Sequence, residues 1–243
     1  MDWFFTDVGL KEGDTHLITG EDAAHITKSL RMSVGETVTL CDRDKNMHLC
    51  LIERITGSQV QVRVSSAEEC DHEPDVFLTL YFALTKGDKP ETVIQKSVEL
   101  GASRIVPVLT ERCISRPDSK AADKKTARYQ KIALQAAMQS RRGIIPEVSG
   151  LTSLSAAAEE AAGSDLTILF YEGGGQPLRD IITTDCKSIS VFIGPEGGFT
   201  EEEINLAEEK GIVPISLGRR ILRTETAGLT ILSILMYELE KGN

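Results

Sequence analysis

The sequence predicts an α/β protein in two parts, a small N-terminal β-barrel or sandwich followed by a three-layer domain built around a largely parallel sheet. Residues 1–70 consist mostly of short segments in which apolar and polar residues alternate, whereas from residue 76 continuous apolar segments alternate with helical ones. The polar stretch AEECDHEPD, at 67–75, separates the two patterns. We therefore expect a first domain over 1–70 and a second over 76–243.

In the first domain, the alternating segments read as short strands. The valines of QVQVRV fall on one face, and ETVTL and MHLCLIE show the same alternation. Glycine, serine and aspartate between these segments favour turns. One short helix, over 21–31, interrupts the strands.

The second domain begins with VFLTLYFAL, a nearly continuous apolar run that is typical of a strand buried on both faces of a parallel sheet. A helix follows, because Asp88 can cap it, Pro90 suits its first turn and Gly101 can end it. Further strands are predicted at RIVPVL, DLTILFY, SISVFI and IVPISL. Further helices are predicted over 121–140, 178–183, 201–210 and 226–240.

The composition indicates a cytoplasmic protein. At 243 residues with 41% apolar residues, the chain can bury a substantial core. It has no run of eighteen apolar residues, and MDWFF lacks the basic start and long apolar run of a signal peptide, so we expect no membrane segment. The five cysteines are scattered and never form a Cys-x-x-Cys pair. We therefore expect reduced, mostly buried thiols, no disulfide framework and no metal site.

The net charge of −10 argues against a general affinity for polyanions, because lysine and arginine make phosphate contacts. The segment 119–142 is an exception, with Asp123 as its only acidic residue. Its seven basic residues are Lys120, Lys124, Lys125, Arg128, Lys131, Arg141 and Arg142. This cluster is either a patch for an anionic partner or an ordinary solvated helix face.

Two glycine-containing loops follow two consecutive predicted strands, GPEGGF at 194–199 and LGRRILRTETA at 217–227. Ligands of open α/β sheets bind outside the carboxyl ends of strands, and glycine lets the main chain approach a ligand closely. Thr200 and Glu203 have the spacing of a capping box, so a helix N-terminus is expected at the end of the first loop. One such loop would be an ordinary strand-to-helix turn, but two together favour a binding site.

Several classes of site are excluded by what the sequence lacks. It contains neither the phosphate-loop pattern nor a Gly-x-Gly-x-x-Gly after an early strand, and EGGGQPL, at 172–178, reads mainly as a turn. A nucleoside triphosphate or a dinucleotide is therefore not the expected ligand. Residues 73–243 contain no histidine, which excludes a Ser-His-Asp triad within the second domain. Glu196 and Glu225 remain as candidates for handling a proton.

At this point the motifs are specific enough to indicate a family. FIGPEGGFTEEEI together with LGRRILRTETAGL resembles the SPOUT-class methyltransferases, and within them the bacterial 16S ribosomal RNA uridine N3-methyltransferases. HITKSLRMSVGETVTLCD is similar to that family's N-terminal PUA-like barrel. KGDKPETVIQKSVELGASRIVPVLTERC is similar to its first crossover, and QAAMQSRRGIIPEV to the end of its central helix. Trp3 stands where the family often carries an arginine.

The resemblance implies a PUA-like, RNA-binding barrel followed by a SPOUT domain with a C-terminal trefoil knot, an exception to the rule that chains are unknotted. It also implies S-adenosylmethionine as the cofactor, bound near the interface of a homodimer, and 16S rRNA as the substrate, in the 30S subunit or as naked RNA. The implied cofactor-binding residues lie in the two loops and are Gly194, Pro195, Glu196, Gly197, Gly198, Leu217, Gly218, Ile221, Leu222, Thr226 and Ala227.

The chemistry of methylation at uracil N3, and the positions of basic residues, suggest further roles in catalysis and RNA binding. Arg223 would stabilise charge on the uracil carbonyls or fix a flanking phosphate. Glu225 or Glu196 would accept the N3 proton or orient the base, and the sequence does not choose between them. RNA contacts are expected from Lys28, Arg31, Arg141 and Arg142.

Two other functions stay open on the sequence. The same fold and cofactor could methylate a ribose 2′-hydroxyl, as other SPOUT members do. Alternatively, the protein could be a non-catalytic RNA-binding assembly factor of the ribosome, with the barrel as its working part.

Overall fold

The computed structural model describes residues 2–183 and 185–240, which form two compact units. Unit 1 comprises the residues up to Glu73 together with Ala137–Ile144. Unit 2 comprises Pro74–Ala136 and the residues from Ile145 onward. The sequence-based division did not separate Ala137–Ile144 from the second domain, because this short segment lies in the middle of the α/β pattern.

Unit 1 contains a five-stranded sheet in the order β1-β3-β4-β5-β2. Its strands are β1 Trp3–Phe5, β2 Thr15–Ile18, β3 Thr37–Cys41, β4 Asn46–Thr56 and β5 Gln59–Glu69. β1 is parallel to β3, and the other neighbours are antiparallel. The alternation in QVQVRV has the expected result, since Val60, Val62 and Val64 are all buried.

The short helix predicted over 21–31 is irregular. α1 spans Gly20–Ala24 and continues as a π-helical turn, His25–Ser29, which the amide of Leu30 closes on the carbonyl of His25. Arg31 then takes a positive φ of 57°, a conformation that ends a helix.

Unit 2 contains an eight-stranded parallel sheet in the order β11-β13-β10-β12-β6-β7-β8, with β9 also paired to β7. Five of its strands are the predicted ones: β6 Phe77–Ala83, β7 Arg104–Leu109, β10 Leu166–Phe170, β12 Ser188–Ile193 and β13 Val213–Ser216. The sequence did not predict the two-residue strands β8 Glu147–Val148, β9 Thr152–Ser153 and β11 Gln176–Pro177. Segments so short carry no detectable alternation.

The helices of unit 2 are α2 Lys89–Glu99, α3 Ser119–Ser140, whose last four residues belong to unit 1, α4 Leu154–Ala161, α5 Glu201–Glu209 and α6 Thr224–Leu239. α4 was not predicted. The helix predicted over 178–183 is wrong, because only a 3-10 turn, Leu178–Asp180, forms there. The three residues that follow this turn are β-branched, which disfavours a helix. Asp88 precedes α2 as expected, but its side chain makes no capping hydrogen bond.

The core of unit 2 fixes the strands that carry the two glycine loops. The rings of Tyr81 on β6 and Phe192 on β12 stack with their centroids 4.4 Å apart. Leu169 of β10 and Phe199, just beyond β12, belong to the same buried cluster. α6 packs against α2, β6 and β12. The trefoil knot stays a prediction.

The core of unit 1 includes Trp3, whose indole N–H donates a 3.1 Å hydrogen bond to the carbonyl of Arg142. This bond ties residues 137–144 to β1. All five cysteines are free thiols, four of them buried and Cys186 half-buried, as expected. Among the described residues, no helix is both long and apolar enough to cross a membrane.

Candidate functional site

Both glycine loops lie at the carboxyl edge of the parallel sheet. The loop at 194–199 follows β12, and the loop at 217–223 joins β13 to α6. β10 lies between β12 and β13 in the sheet. Three strand ends therefore meet at one place, and the end of β10 separates the two predicted loops.

A cleft that is open to solvent occupies this place. Its lining residues are Phe170, Glu172, Ile193, Gly194, Pro195, Glu196, Gly198, Ile221, Leu222, Thr224 and Ala227. They come from the ends of β10 and β12, from both loops and from the first turn of α6. No lysine or arginine is among them, and two carboxylates are.

Thr224, the first residue of α6, joins the two loops. Its buried hydroxyl donates a 2.9 Å hydrogen bond to the carbonyl of Gly194. Because Gly194 begins the first loop and Thr224 follows the second, this bond sets the width of the cleft between them.

Position 198 requires a glycine both because of its backbone conformation and because of the side chain that faces it. Its φ is +70°, in the left-handed region that favours glycine. A Cβ at this position would also collide with the carboxylate of Glu172 across the cleft. The glycine therefore lets the loop main chain reach the strand end of β10.

Two further interactions hold the first loop. The capping box predicted for Thr200 and Glu203 is present, with Thr200 Oγ1 accepting from the Glu203 amide at 3.2 Å and Glu203 Oε2 from the Thr200 amide at 3.0 Å. The guanidinium of Arg112 donates to the carbonyls of Gly197 at 2.6 Å and Phe199 at 3.3 Å. These contacts hold the loop at its glycine pair and at the residues that follow it.

Lys89, in the first turn of α2, lies between the two candidate carboxylates. Its Nζ donates a 2.8 Å hydrogen bond to Glu196 Oε1 and is 3.8 Å from Glu225 Oε2. Burial alone would raise the pKa of Glu196, but the hydrogen bond from Lys89 and its positive charge hold that pKa below the ordinary value. Glu225 Oε2 is buried and accepts no hydrogen bond.

Arg223 caps the N-terminus of α6 with its backbone and projects an exposed side chain. Among the described residues, no carboxylate or carbonyl holds its guanidinium. It is therefore a cation beside the cleft that is available to an anionic group.

Models of known families match both parts of the chain. A model described as an RNA methyltransferase domain matches residues 72–236. A model described as an RNA methyltransferase PUA domain matches residues 18–65. The chain belongs to this RNA methyltransferase family.

Relatives of this RNA methyltransferase are similar over most of the chain. The ribosomal RNA small subunit methyltransferase E of Bacillus subtilis (strain 168) is 34% identical over 238 residues, which are 95% of this chain and 93% of the relative. The enzyme of the same name from Aquifex aeolicus (strain VF5) is 33% identical over 78% of this chain and 81% of its own.

Two solved structures share the fold closely. The small subunit methyltransferase E of Neisseria gonorrhoeae, bound to S-adenosyl methionine, superposes with a TM-score of 0.92 at 30% identity over 100% of both chains. A methyltransferase of Legionella pneumophila, in complex with the bound cofactor SAM, superposes with a TM-score of 0.92 at 34% identity over 99% of each chain.

The structure of this RNA methyltransferase brings most of the predicted cofactor residues to one cleft. Gly194, Pro195, Glu196, Gly198, Ile221, Leu222 and Ala227 line it. Gly197, Leu217, Gly218 and Thr226 lie in the same loops or in the first turn of α6 without lining it, as do Arg223 and Glu225.

Sequence reasoning missed four of the lining residues: Phe170, Glu172, Ile193 and Thr224. Phe170 and Glu172 line the cleft because β10 lies between β12 and β13 in the sheet. The order of strands along the chain does not reveal this position. EGGGQPL, interpreted mainly as a turn, was the available signal for Glu172.

The predicted RNA contacts belong to unit 1, whereas the residues that line the cleft belong to unit 2. Lys28, Arg31 and Arg141 are exposed. The prediction for Arg142 is wrong, because its side chain is 3% exposed and its guanidinium binds both oxygens of Glu73, at 2.8 and 2.6 Å. A buried guanidinium that is paired through Nε and Nη2 with a carboxylate is not exposed to an RNA phosphate.

Proposed function

We propose that this protein transfers a methyl group from S-adenosylmethionine to N3 of a specific uridine in 16S rRNA. The observation that carries the proposal is the cleft at the ends of β10, β12 and β13, whose walls are glycine main chain, apolar side chains and two carboxylates. Relatives with this fold, at TM-scores of 0.92, are described as bound to that cofactor.

The chemistry of the cleft fits such a cofactor. Phe170, Ile193 and Leu222 offer apolar surface for a purine, and the absence of lysine and arginine from the lining leaves nothing to neutralise a phosphate chain. The carboxylates of Glu172 and Glu196 favour a cationic ligand. When bound, S-adenosylmethionine supplies an activated methyl on a sulfonium, so the protein contributes alignment and electrostatics.

The loops would hold the cofactor mainly through their main chain. We assign this role to Gly194, Pro195, Gly198, Ile221, Leu222 and Ala227, which line the cleft, and to Gly197, Leu217, Gly218 and Thr226 beside it. The hydrogen bond from Thr224 to the carbonyl of Gly194 keeps the two loops at a constant separation.

The candidate catalytic residues differ in their surroundings. Arg223, exposed beside the cleft, stabilises negative charge on the uracil carbonyls or binds a flanking phosphate. Glu196 is a weak proton acceptor, because Lys89 lowers its pKa, and it orients its neighbours instead. We assign the N3 proton or the orientation of the base to Glu225, whose Oε2 has an acceptor position still unused.

The remaining parts of the proposal concern partners. Unit 1 binds RNA through exposed cations, including Lys28, Arg31 and Arg141. The protein acts in the cytoplasm as a homodimer, on rRNA in the 30S subunit.

The test uses radiolabelled S-adenosylmethionine, the full-length protein and 30S subunits that lack the modification. Label is expected on N3 of one uridine of 16S rRNA after digestion and nucleoside mapping. Label on a ribose 2′-oxygen would contradict the proposed atom, and RNA binding with no cofactor binding in calorimetry would contradict catalysis. Naked 16S rRNA in a parallel reaction shows which form is the substrate.

A further inference from the structure

The exposed face of α3 carries a row of cations. Lys120, Lys124, Arg128 and Lys131 are all exposed. Residues three or four positions apart lie on the same face of a helix, and a rise of about 1.5 Å per residue makes this row about 17 Å long. We refer to these four residues as the α3 cationic row. All of them belong to unit 2, whereas the expected RNA contacts of the barrel belong to unit 1.

The row is not arranged to support the helix itself. Lysine and arginine four residues apart repel each other, and a face that serves only solubility usually alternates the sign of its charges. α3 has one acidic residue, Asp123. Glu91 of α2 pairs with Arg128 at 2.6 Å. Within the part of the chain that the structure describes, no ion pair or hydrogen bond engages the ammonium groups of Lys120 and Lys124.

The other exposed side chains of this face decide what kind of partner fits. Beside the cations lie Ser119, Asp123, Ala127 and Gln135, and none of them is a large apolar residue. An amphipathic helix that lies in a membrane surface inserts apolar side chains below the headgroups, and a protein interface is usually anchored by aromatic or large apolar residues. A nucleic acid backbone needs only point charges along a line.

We propose that the α3 cationic row binds backbone phosphates of the RNA substrate. In a chain of net charge −10, it concentrates positive charge on unit 2, whereas Lys28, Arg31 and Arg141 belong to unit 1. It orients RNA without reading sequence. The identity of the RNA rests on the proposed function, but the phosphate contacts are independent of methyl transfer.

The experiment measures the affinity of an unmodified 16S rRNA transcript at a series of KCl concentrations, without cofactor. The variant Lys120→Gln/Lys124→Gln is compared with the wild type. Each lost phosphate contact is expected to reduce the slope of log K against log salt by about 0.7 to 0.9. A Lys120→Arg/Lys124→Arg protein should keep the wild-type slope, and it also reports on any loss of folding.

The matched control is Lys187→Gln/Lys210→Gln, which removes the same charge from unit 2 away from α3 and should keep the slope. An unchanged slope in the Lys120→Gln/Lys124→Gln variant, or an equal reduction in the control, would overturn the proposal. Methyl transfer at saturating RNA distinguishes the two proposals. The wild type could transfer no methyl group while the slope of log K against log salt is still lower in Lys120→Gln/Lys124→Gln than in the wild type. In that case the proposed function fails, and the assignment of the α3 cationic row to RNA phosphates is supported.

Discussion

The hydroxyl of Thr224 and the carbonyl of Gly194 are joined by a 2.9 Å hydrogen bond, although the two residues belong to different loops. The bond is buried, so removing the hydroxyl leaves the carbonyl without a partner. It connects the start of α6 to the end of β12 at the edge of the cleft.

Replacing Thr224 by valine, which has nearly the same shape, is expected to lower the free energy of unfolding by about 1 to 2 kcal/mol. It should also weaken the binding of S-adenosylmethionine, because the two loops lose their connection. Chemical denaturation and calorimetry measure the two effects. Thr224→Ser keeps the hydroxyl and serves as the control. If Thr224→Val binds the cofactor with wild-type affinity, this hydrogen bond does not contribute to cofactor binding.

Gly198→Ala is expected to impair cofactor binding more than Gly218→Ala. Both glycines have positive φ, at +70° and +109°, so both variants carry backbone strain of about 1 to 3 kcal/mol. Only at Gly198 would the new Cβ also meet a carboxylate, that of Glu172, whereas Gly218 faces open space. Calorimetric titration with S-adenosylmethionine compares them, and equal losses would mean that strain alone is responsible.

Lys89→Gln is expected to raise the pKa of Glu196, because the hydrogen bond and the positive charge that lower it are removed. A higher pKa makes Glu196 neutral over more of the acidic range, so cofactor binding should weaken on acidification at a higher pH than in the wild type. Affinities measured from pH 4 to 8 check this. Lys96→Gln, which breaks an ion pair with Glu99 on the same helix, should leave the profile unchanged. An identical profile in Lys89→Gln would show that this lysine does not control Glu196.

Arg142→Met is expected to lower the free energy of unfolding by about 3 to 5 kcal/mol, because it leaves the half-buried carboxylate of Glu73 without its partner. Arg141→Met is the matched control, since the neighbouring side chain is 63% exposed and lies 3.7 Å from Asp2. Its effect should not exceed about 1 kcal/mol. Denaturation curves of both variants measure the difference. A small effect at Arg142, with reduced RNA affinity, would restore its predicted role as an RNA contact.

Asp42 is expected to contribute stability that depends on pH. Burial tends to raise its pKa, but hydrogen bonds from His48 and from Asn46 hold the pKa below the ordinary 3.8. A carboxyl group whose pKa is lower in the folded state stabilises the protein above its unfolded pKa, and that contribution is lost as the pH falls through the folded value. Asp42→Asn should therefore cost about 2 kcal/mol at pH 7 and progressively less below pH 4.

Urea denaturation of Asp42→Asn and wild type across this pH range measures the contribution. The exposed Asp44→Asn substitution is the control. A cost that stays constant between pH 7 and the acid limit would mean that the shape of Asp42, and not its charge, matters.

The five long strands of unit 2 could be predicted because apolar runs and intervening helices are local properties of the chain. The two glycine loops could be predicted for the same reason, and Thr200 with Glu203 forms the capping box that their spacing indicates. The third wall of the cleft could not, because Phe170 and Glu172 reach it only through the position of β10 between β12 and β13. Strand order depends on how the chain crosses over the sheet, which no local pattern encodes.

Arg142 illustrates the other limit of sequence reasoning. Its neighbours in sequence are basic and polar, so a solvent-facing role was the natural expectation. The residue that decides its environment is Glu73, which lies far away along the chain. Lys89 had no predicted role for the same reason, since both carboxylates around it belong to segments more than a hundred residues further on.

Unit 1 contains residues 137–144 as well as the residues up to Glu73. During synthesis, β1 to β5 leave the ribosome long before Arg142 does. Until Arg142 has been translated, the carboxylate of Glu73 and the indole of Trp3 lack the partner that they have in the folded protein. Unit 1 of a nascent chain therefore reaches its final state only after β6, α2, β7 and most of α3 have been translated. A truncated gene that stops at the end of β5 would yield an incomplete unit 1.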